Sequence, residues 1–186
     1  MFDKEKLRNA VVSIIEAIGD NPSREGLKDT PERVASMYLD LFSGIDDDPS
    51  AALSTGFEES YDGLVIASGI SFFSICEHHF LPFSGTAHIG YLPRGWVVGA
   101  SKLARVVDTI ARRPQLQERL TSQIADTIDT TLHPHGVMVL VKAEHLCMSM
   151  RGVAKNGSSI ITTSARGLFR DQEAARREFL SVIAGG

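Results

Sequence analysis

The sequence predicts an α+β domain, an antiparallel sheet with two helices on one face, preceded by a helical region. Three observations predict it. Residues 1–60 read as helical and loop-rich. From residue 63 the chain changes to β-branched and aromatic runs punctuated by Gly and Pro. The elements then follow in the order β-β-α-α-β-β, which lays a helix pair against one sheet. With 186 residues, 43% of them hydrophobic, the chain is long enough to bury the core of one domain. We divide it into a helical region, 1–60, and a sheet-bearing unit, 61–186.

The elements can be justified in order. "LRNAVVSIIEAI" places Leu7, Val11, Ile14, Ile15 and Ile18 at helical spacing. "DTPERVASMYLDLF" opens a second helix, with Thr30 as candidate N-cap and Pro31 at the first helical position. "SGIDDDPS" is a loop. "GLVIASGISFFSIC" and "FSGTAHIGYLP" are strands, and "WVVGA" is read as continuing their sheet. "SKLARVVDTIARR" and "PQLQERLTSQIADTIDTTL" are helices, the first capped by Ser101 and the second started by Pro114. "GVMVLVKAEHLCMSMRG" and "SSIITTSA" return to strand, and "DQEAARREFLSVI" closes the chain as a helix.

Composition excludes several classes. A net charge of −4 argues against general nucleic-acid binding, which wants a basic surface. No run approaches the ~18 apolar residues of a membrane span. The charged N-terminal stretch lacks a signal-peptide core. A cytoplasmic protein with reduced thiols is expected.

The chemistry concentrates in "SICEHHFLPF". Cys76 and His79 stand in C-x-x-H spacing, which lets one tight turn offer two ligands to one ion. The second cysteine, Cys147, lies in "HLCMSMR", which alternates as a strand does. On that pattern His145, Cys147, Ser149 and Arg151 share one face, and Leu146, Met148 and Met150 share the other. A single cysteine is ordinarily a small buried hydrophobe. Two cysteines, each close to a histidine, point instead to zinc. Two ligand sets are open: Cys76, His79, Cys147 and His145 as a closed structural site, or the first three with a fourth position free. The extra histidines favour the open set, with His78 and His145 left to carry protons. His88, His133 and His135 carry no such pattern.

The helices add polar groups. Ser101, Lys102 and Arg105 in "GASKLAR" place cations at a helix start, which suits phosphate, although a solvated face is the commoner meaning of such a stretch. Gln117 and Glu118 sit early in the next helix. Taken together, these groups suit hydrolysis of a phosphorylated, nitrogen-rich ring.

"TPERVASMY", "CEHHFLPFSGTAHIGYLP", "GASKLARVV", "RPQLQERLTSQIA" and "AEHLCMSMRGV", in that order, strongly resemble GTP cyclohydrolase I, over about residue 7 to the C-terminus. The resemblance implies the tunnelling fold, assembled as a homodecamer of two pentamers with active sites at subunit interfaces. It implies conversion of GTP and water to 7,8-dihydroneopterin triphosphate and formate, entering tetrahydrofolate synthesis. By position Cys76, His79 and Cys147 match the zinc ligands, and water activated there attacks C8 of guanine. His78 matches the residue that protonates the opening imidazole ring. His145 matches the second acid–base group, near the ribose, where Ser101 also acts. Gln117 and Glu118 match the grip on the purine edge. Ser101, Lys102, Arg105, Arg151 and Arg33 match the ribose and triphosphate contacts. Some relatives carry a lysine three residues after Arg33, where Ser36 stands here, and "GASK" replaces the commoner "GLSK".

Overall fold

The computed structural model describes residues 2–185. Helix α1 spans Lys4–Ala17, and the Asp3 carboxylate caps it by accepting from the Lys6 amide at 2.9 Å. Helix α2 spans Thr30–Leu41 and packs on α1. Pro31 lies in its first turn as expected, but the N-cap is Asp29, without a side-chain cap bond. Thr30 is itself the first helical residue, which puts Pro31 one place later than expected, still in the first turn where its missing N–H costs no helical bond. The α1 stripe is only half used. Val11 and Ile15 are buried, while Ile14 and Ile18 are 60% and 75% exposed.

The main sheet has five strands in the order β5-β2-β3-β6-β7. Strands β2 (Val65–Cys76), β3 (Leu81–Leu92), β6 (Gly136–His145) and β7 (Ile160–Gly167) pair antiparallel, as expected. Strand β5 is two residues, Pro114–Gln115, running parallel to the end of β2. Pro114 therefore does not start a helix. An edge strand tolerates its missing N–H, and helix α4 begins three residues later, at Gln117. Trp96–Val97 (β4) does not extend the main sheet either. It pairs with β1 (Phe57–Glu58) in a separate two-stranded ladder.

Alternation builds the core. Phe83, Ala87, Ile89 and Tyr91 of β3, with Val137, Val139, Val141 and Ala143 of β6, face one way and are buried. Over them lie α3 (Ala100–Ala111), through Leu103, Val106, Val107 and Ile110, and α4 (Gln117–Leu132), through Leu120, Ile124 and Ile128. Each such side chain contributes about 1.5–3 kcal/mol on leaving water. At one end of the opposite sheet face, Phe179 of α7 (Glu173–Gly185) packs with Phe169 of the short α6 (Leu168–Asp171) and with Met138.

A bulge interrupts β2 between Ala67 and Ile70, where Gly69 has φ +69°. The Gly69 amide donates to His88 Nδ1 at 3.2 Å, so that histidine caps a bulge. Among the described residues no helix is long and apolar enough to cross a membrane.

Candidate metal centre

Strand β2 delivers Cys76, 4% exposed, to the end of the sheet. The chain turns through Glu77–Phe80, closed by the Phe80 amide donating to the Cys76 carbonyl at 2.9 Å. His78 and His79 are exposed on this turn. Strand β3 then leaves at Leu81, opposite Cys76.

The other half departs from the expected strand. Strand β6 ends at His145, opposite Phe83, and Leu146–Ser149 form one helical turn, α5. The next ladder partner would be Pro82, which has no N–H to offer. His145, Cys147, Ser149 and Arg151 therefore do not share one strand face. Cys147 wraps back toward the β2–β3 turn. One ligand atom each from Cys76, His79 and Cys147 lies within 4.8 Å of the others.

His145 goes elsewhere. Its ring stacks on Phe83 at 4.5 Å and 6°, and Nε2 lies 2.8 Å from Gln117 Oε1. Gln117 is 2% exposed, and its Nε2 donates to the Val141 carbonyl (3.1 Å), the Ile160 carbonyl (3.0 Å) and Thr162 Oγ1 (3.1 Å). With acceptors around the amide nitrogen, its oxygen faces His145, so the imidazole carries its proton on Nε2. Burial pushes the His145 pKa down, while the charge of Glu118 pulls it up. Of the two ligand sets, the group formed here is the one without His145.

The donors fit a metal. Burial pushes the Cys147 thiol up, the Cys76 thiol beside it pushes the same way, and Arg151 opposes both. Two thiols this close resist ionising together, a cost that a divalent cation reverses. Two sulfurs and one imidazole nitrogen form a donor set suited to zinc, supplying three of the four ligands it ordinarily takes.

Supporting contacts were not visible in the sequence. Arg119 of α4 forks onto Glu77, Nη1 to Oε2 at 2.5 Å and Nη2 to Oε1 at 2.9 Å, holding that carboxyl below its ordinary pKa. Phe80 has φ +53°, and its ring meets Phe42 edge-on at 5.8 Å. Glu77 stood in plain view beside the ligands, but nothing in the pattern linked it to Arg119.

The remaining residues lie in several places. Glu118 is exposed beside Gln117. Ser101 is not the α3 cap. Gly99 holds that position in an extended conformation, and Ser101 is exposed in the first turn, followed by half-buried Lys102. Arg105 lines a separate cavity of about 430 Å³ with Ser43, Asp47, Asp48, Asp108 and Arg112. Arg33 is exposed on α2, with Nη2 3.4 Å from Asp29 Oδ2, and Ser36 donates to Glu32 at 3.4 Å. Arg151 is exposed just beyond α5.

The sequence model of a family described as GTP cyclohydrolase I matches residues 7–184. GTP cyclohydrolase 1 of Pelotomaculum thermopropionicum is 57% identical over 186 residues, covering 100% of this chain and 99% of that protein. GTP cyclohydrolase 1 of Bacillus subtilis is 55% identical over 182 residues, covering 97% of this chain and 96% of that protein. Among solved structures, the apo form of the archaeosine synthase QueF-Like aligns with 59% of this chain and 97% of its own, at 22% identity and a TM-score of 0.49.

Proposed function

The chain belongs to the GTP cyclohydrolase I family, and from that premise we propose that it converts GTP and water to 7,8-dihydroneopterin triphosphate and formate, the first step of tetrahydrofolate and pterin synthesis. The observation that carries the reading is the Cys76–His79–Cys147 group, whose ligand atoms lie within 4.8 Å of one another while His145 is held apart. These three residues would hold zinc, which when bound supplies Lewis-acid chemistry and activates water for attack at C8 of guanine.

The chain's own side chains carry the rest. His78, exposed beside His79, gives a proton to the imidazole nitrogen of guanine as that ring opens. His145, oriented by Gln117, moves protons at the ribose during the later rearrangement, with the exposed Ser101 hydroxyl as its partner. Glu118 accepts from the N–H edge of the purine, while the buried Gln117, its amide committed to His145 and the strands, holds the turn that presents Glu118 rather than gripping the purine itself. Lys102, Arg105, Arg151 and Arg33 neutralise the triphosphate.

In this reading residues 1–60 form a helical arm, and residues 61–186 form the catalytic unit with the tunnelling fold. The chain works in the cytoplasm as a homodecamer of two pentamers. Exposed apolar side chains support assembly, including Phe73 at 71% and Ile161 at 59% on the sheet. Cations on α2, on α3 and beyond α5 suit sites completed between subunits.

The test is incubation of the protein with GTP, with and without a chelator, measuring formate and the dihydropterin together. Chelator-sensitive formation of both is expected. Neither product from zinc-loaded, assembled protein would overturn the reading.

A further inference from the structure

The turn that bears His78 and His79 is held from two sides by contacts that play no part in the chemistry described above. Phe80 closes it in the left-handed region, at φ +53°. A bulky side chain there is a true outlier and is strained. Such strain persists only where surrounding contacts over-determine it. Here the Phe80 ring meets Phe42 edge-on at 5.8 Å and 63°. Phe42 is 6% exposed and caps α2, with Tyr38 tilted against it at 5.4 Å. One end of the turn thus leans on a fixed ring.

The other end is tied to α4. The Glu77 amide donates to the Gln115 carbonyl at 3.1 Å. Its carboxylate receives both arms of the Arg119 guanidinium. Gln115 is itself anchored, 1% exposed, with Nε2 donating to the Ile110 carbonyl (3.0 Å) and to Gln123 Oε1 (2.8 Å). Arg119 follows directly on Gln117 and Glu118. The fork therefore joins the segment bearing His78 and His79 to the helical turn bearing Glu118 and the amide that orients His145.

We propose that the Glu77–Arg119 fork and the left-handed Phe80 form a clamp that sets the His78–His79 turn at a fixed position relative to the first turn of α4. Glu77, Arg119 and Phe80 are positioning residues. They touch neither substrate nor metal, and they act through His79, His78 and α4. A bidentate fork suits the task because it fixes orientation as well as distance. The fork holds the backbone that carries the ligands rather than a ligand atom, so its removal should change affinity or activity by about tenfold, the low end of the range for groups that orient a metal's ligands. The inference rests on the reading that Cys76, His79 and Cys147 bind metal, and its test separates the two.

The experiment loads assembled wild-type, Glu77→Gln, Arg119→Gln, the double variant and Phe80→Ala with Co²⁺. It records the thiolate-to-cobalt and d–d absorption, the Co²⁺ affinity by chelator competition, and kcat and KM for GTP. Wild type should show the bands of a two-thiolate site. If it shows none, the metal reading falls, and the clamp falls with it. Given those bands, each single variant should shift the d–d bands and lose about tenfold or more in Co²⁺ affinity or kcat. The double variant should be no worse than the worse single one, because either substitution alone opens the fork. Thermal midpoints should move little for this partly exposed pair, which distinguishes positioning from loss of fold. Wild-type spectra, affinity and kcat in Glu77→Gln and Arg119→Gln would overturn the clamp while leaving the metal reading intact. Additive losses that track falling thermal midpoints would overturn it as well. Phe80→Gly is the remaining arm. It removes the left-handed cost, so it should fold at least as well as Phe80→Ala and still show shifted cobalt bands. Unshifted bands would remove Phe80 from the clamp.

Discussion

Gln117 Oε1 lies 2.8 Å from His145 Nε2, and the same amide donates to the Val141 and Ile160 carbonyls on adjoining strands. One buried side chain thus ties α4 to β6 and β7 and orients an imidazole. Truncation should therefore cost stability and chemistry together. Gln117→Leu leaves carbonyls and an imidazole N–H without partners, which should cost about 1–3 kcal/mol. Gln117→Glu should cost at least as much at neutral pH, because a carboxylate oxygen then faces acceptors. Urea denaturation of both variants checks this, and a stable Gln117→Leu would contradict it.

The division between ligands and proton carriers makes a second prediction. Cys147→Ser and His79→Asn should lose bound zinc, measured by atomic emission. His145→Asn should keep it, while kcat falls by about 10²- to 10⁴-fold. Zinc loss from His145→Asn would revive the closed four-ligand site.

A third prediction concerns the sheet. A Cβ on Gly85 would lie 1.9 Å from the Lys142 carbonyl oxygen on the neighbouring strand. Backbone cannot yield as a side-chain tip can. Gly85→Ala should cost about 2 kcal/mol or more, seen as a lowered thermal midpoint.

The fourth is a pH dependence. The Arg24 guanidinium, and then the Asn21 amide, hold the Asp20 carboxyl down to about 2. A carboxyl lowered on folding stabilises above its unfolded pKa, and that contribution is lost as pH falls through the folded value. Asp20→Asn should therefore lower the thermal midpoint slightly at pH 5–8. The gap from wild type should close between about pH 4 and pH 2. A gap that persists at pH 2 would show that the ion pair is not its source.

Much of this was legible because it is local. β-branched and aromatic runs punctuated by Gly and Pro marked β2 and β3, and helical spacing marked α3 and α4. The Cys76–His79 spacing marked a ligand pair. Local pattern misled where partners decide. The alternation in "HLCMSMR" is genuine, yet the ladder stops at His145 with Pro82 next in line, and one helical turn follows. Pro114 suits a helix start as well as an edge strand, and pairing with Ile75 chose the strand. Ser101 has the right chemistry for a cap, but Gly99 took the position through its backbone.

By itself the sequence determined the α+β class, the order of the main strands and helices, and the four candidate donors for a metal, Cys76, His79, Cys147 and His145. Side-chain type and spacing along the chain suffice for those. Only the tertiary structure decided that Cys147 joins Cys76 and His79 while His145, two residues away, turns to Gln117 and Phe83. It alone joined Glu77 to Arg119 and set Phe80 in the left-handed region against Phe42. These contacts bridge residues up to 71 apart in the chain. Folding free energy is shared across the whole core, so which distant groups meet is fixed by packing rather than by neighbours in sequence.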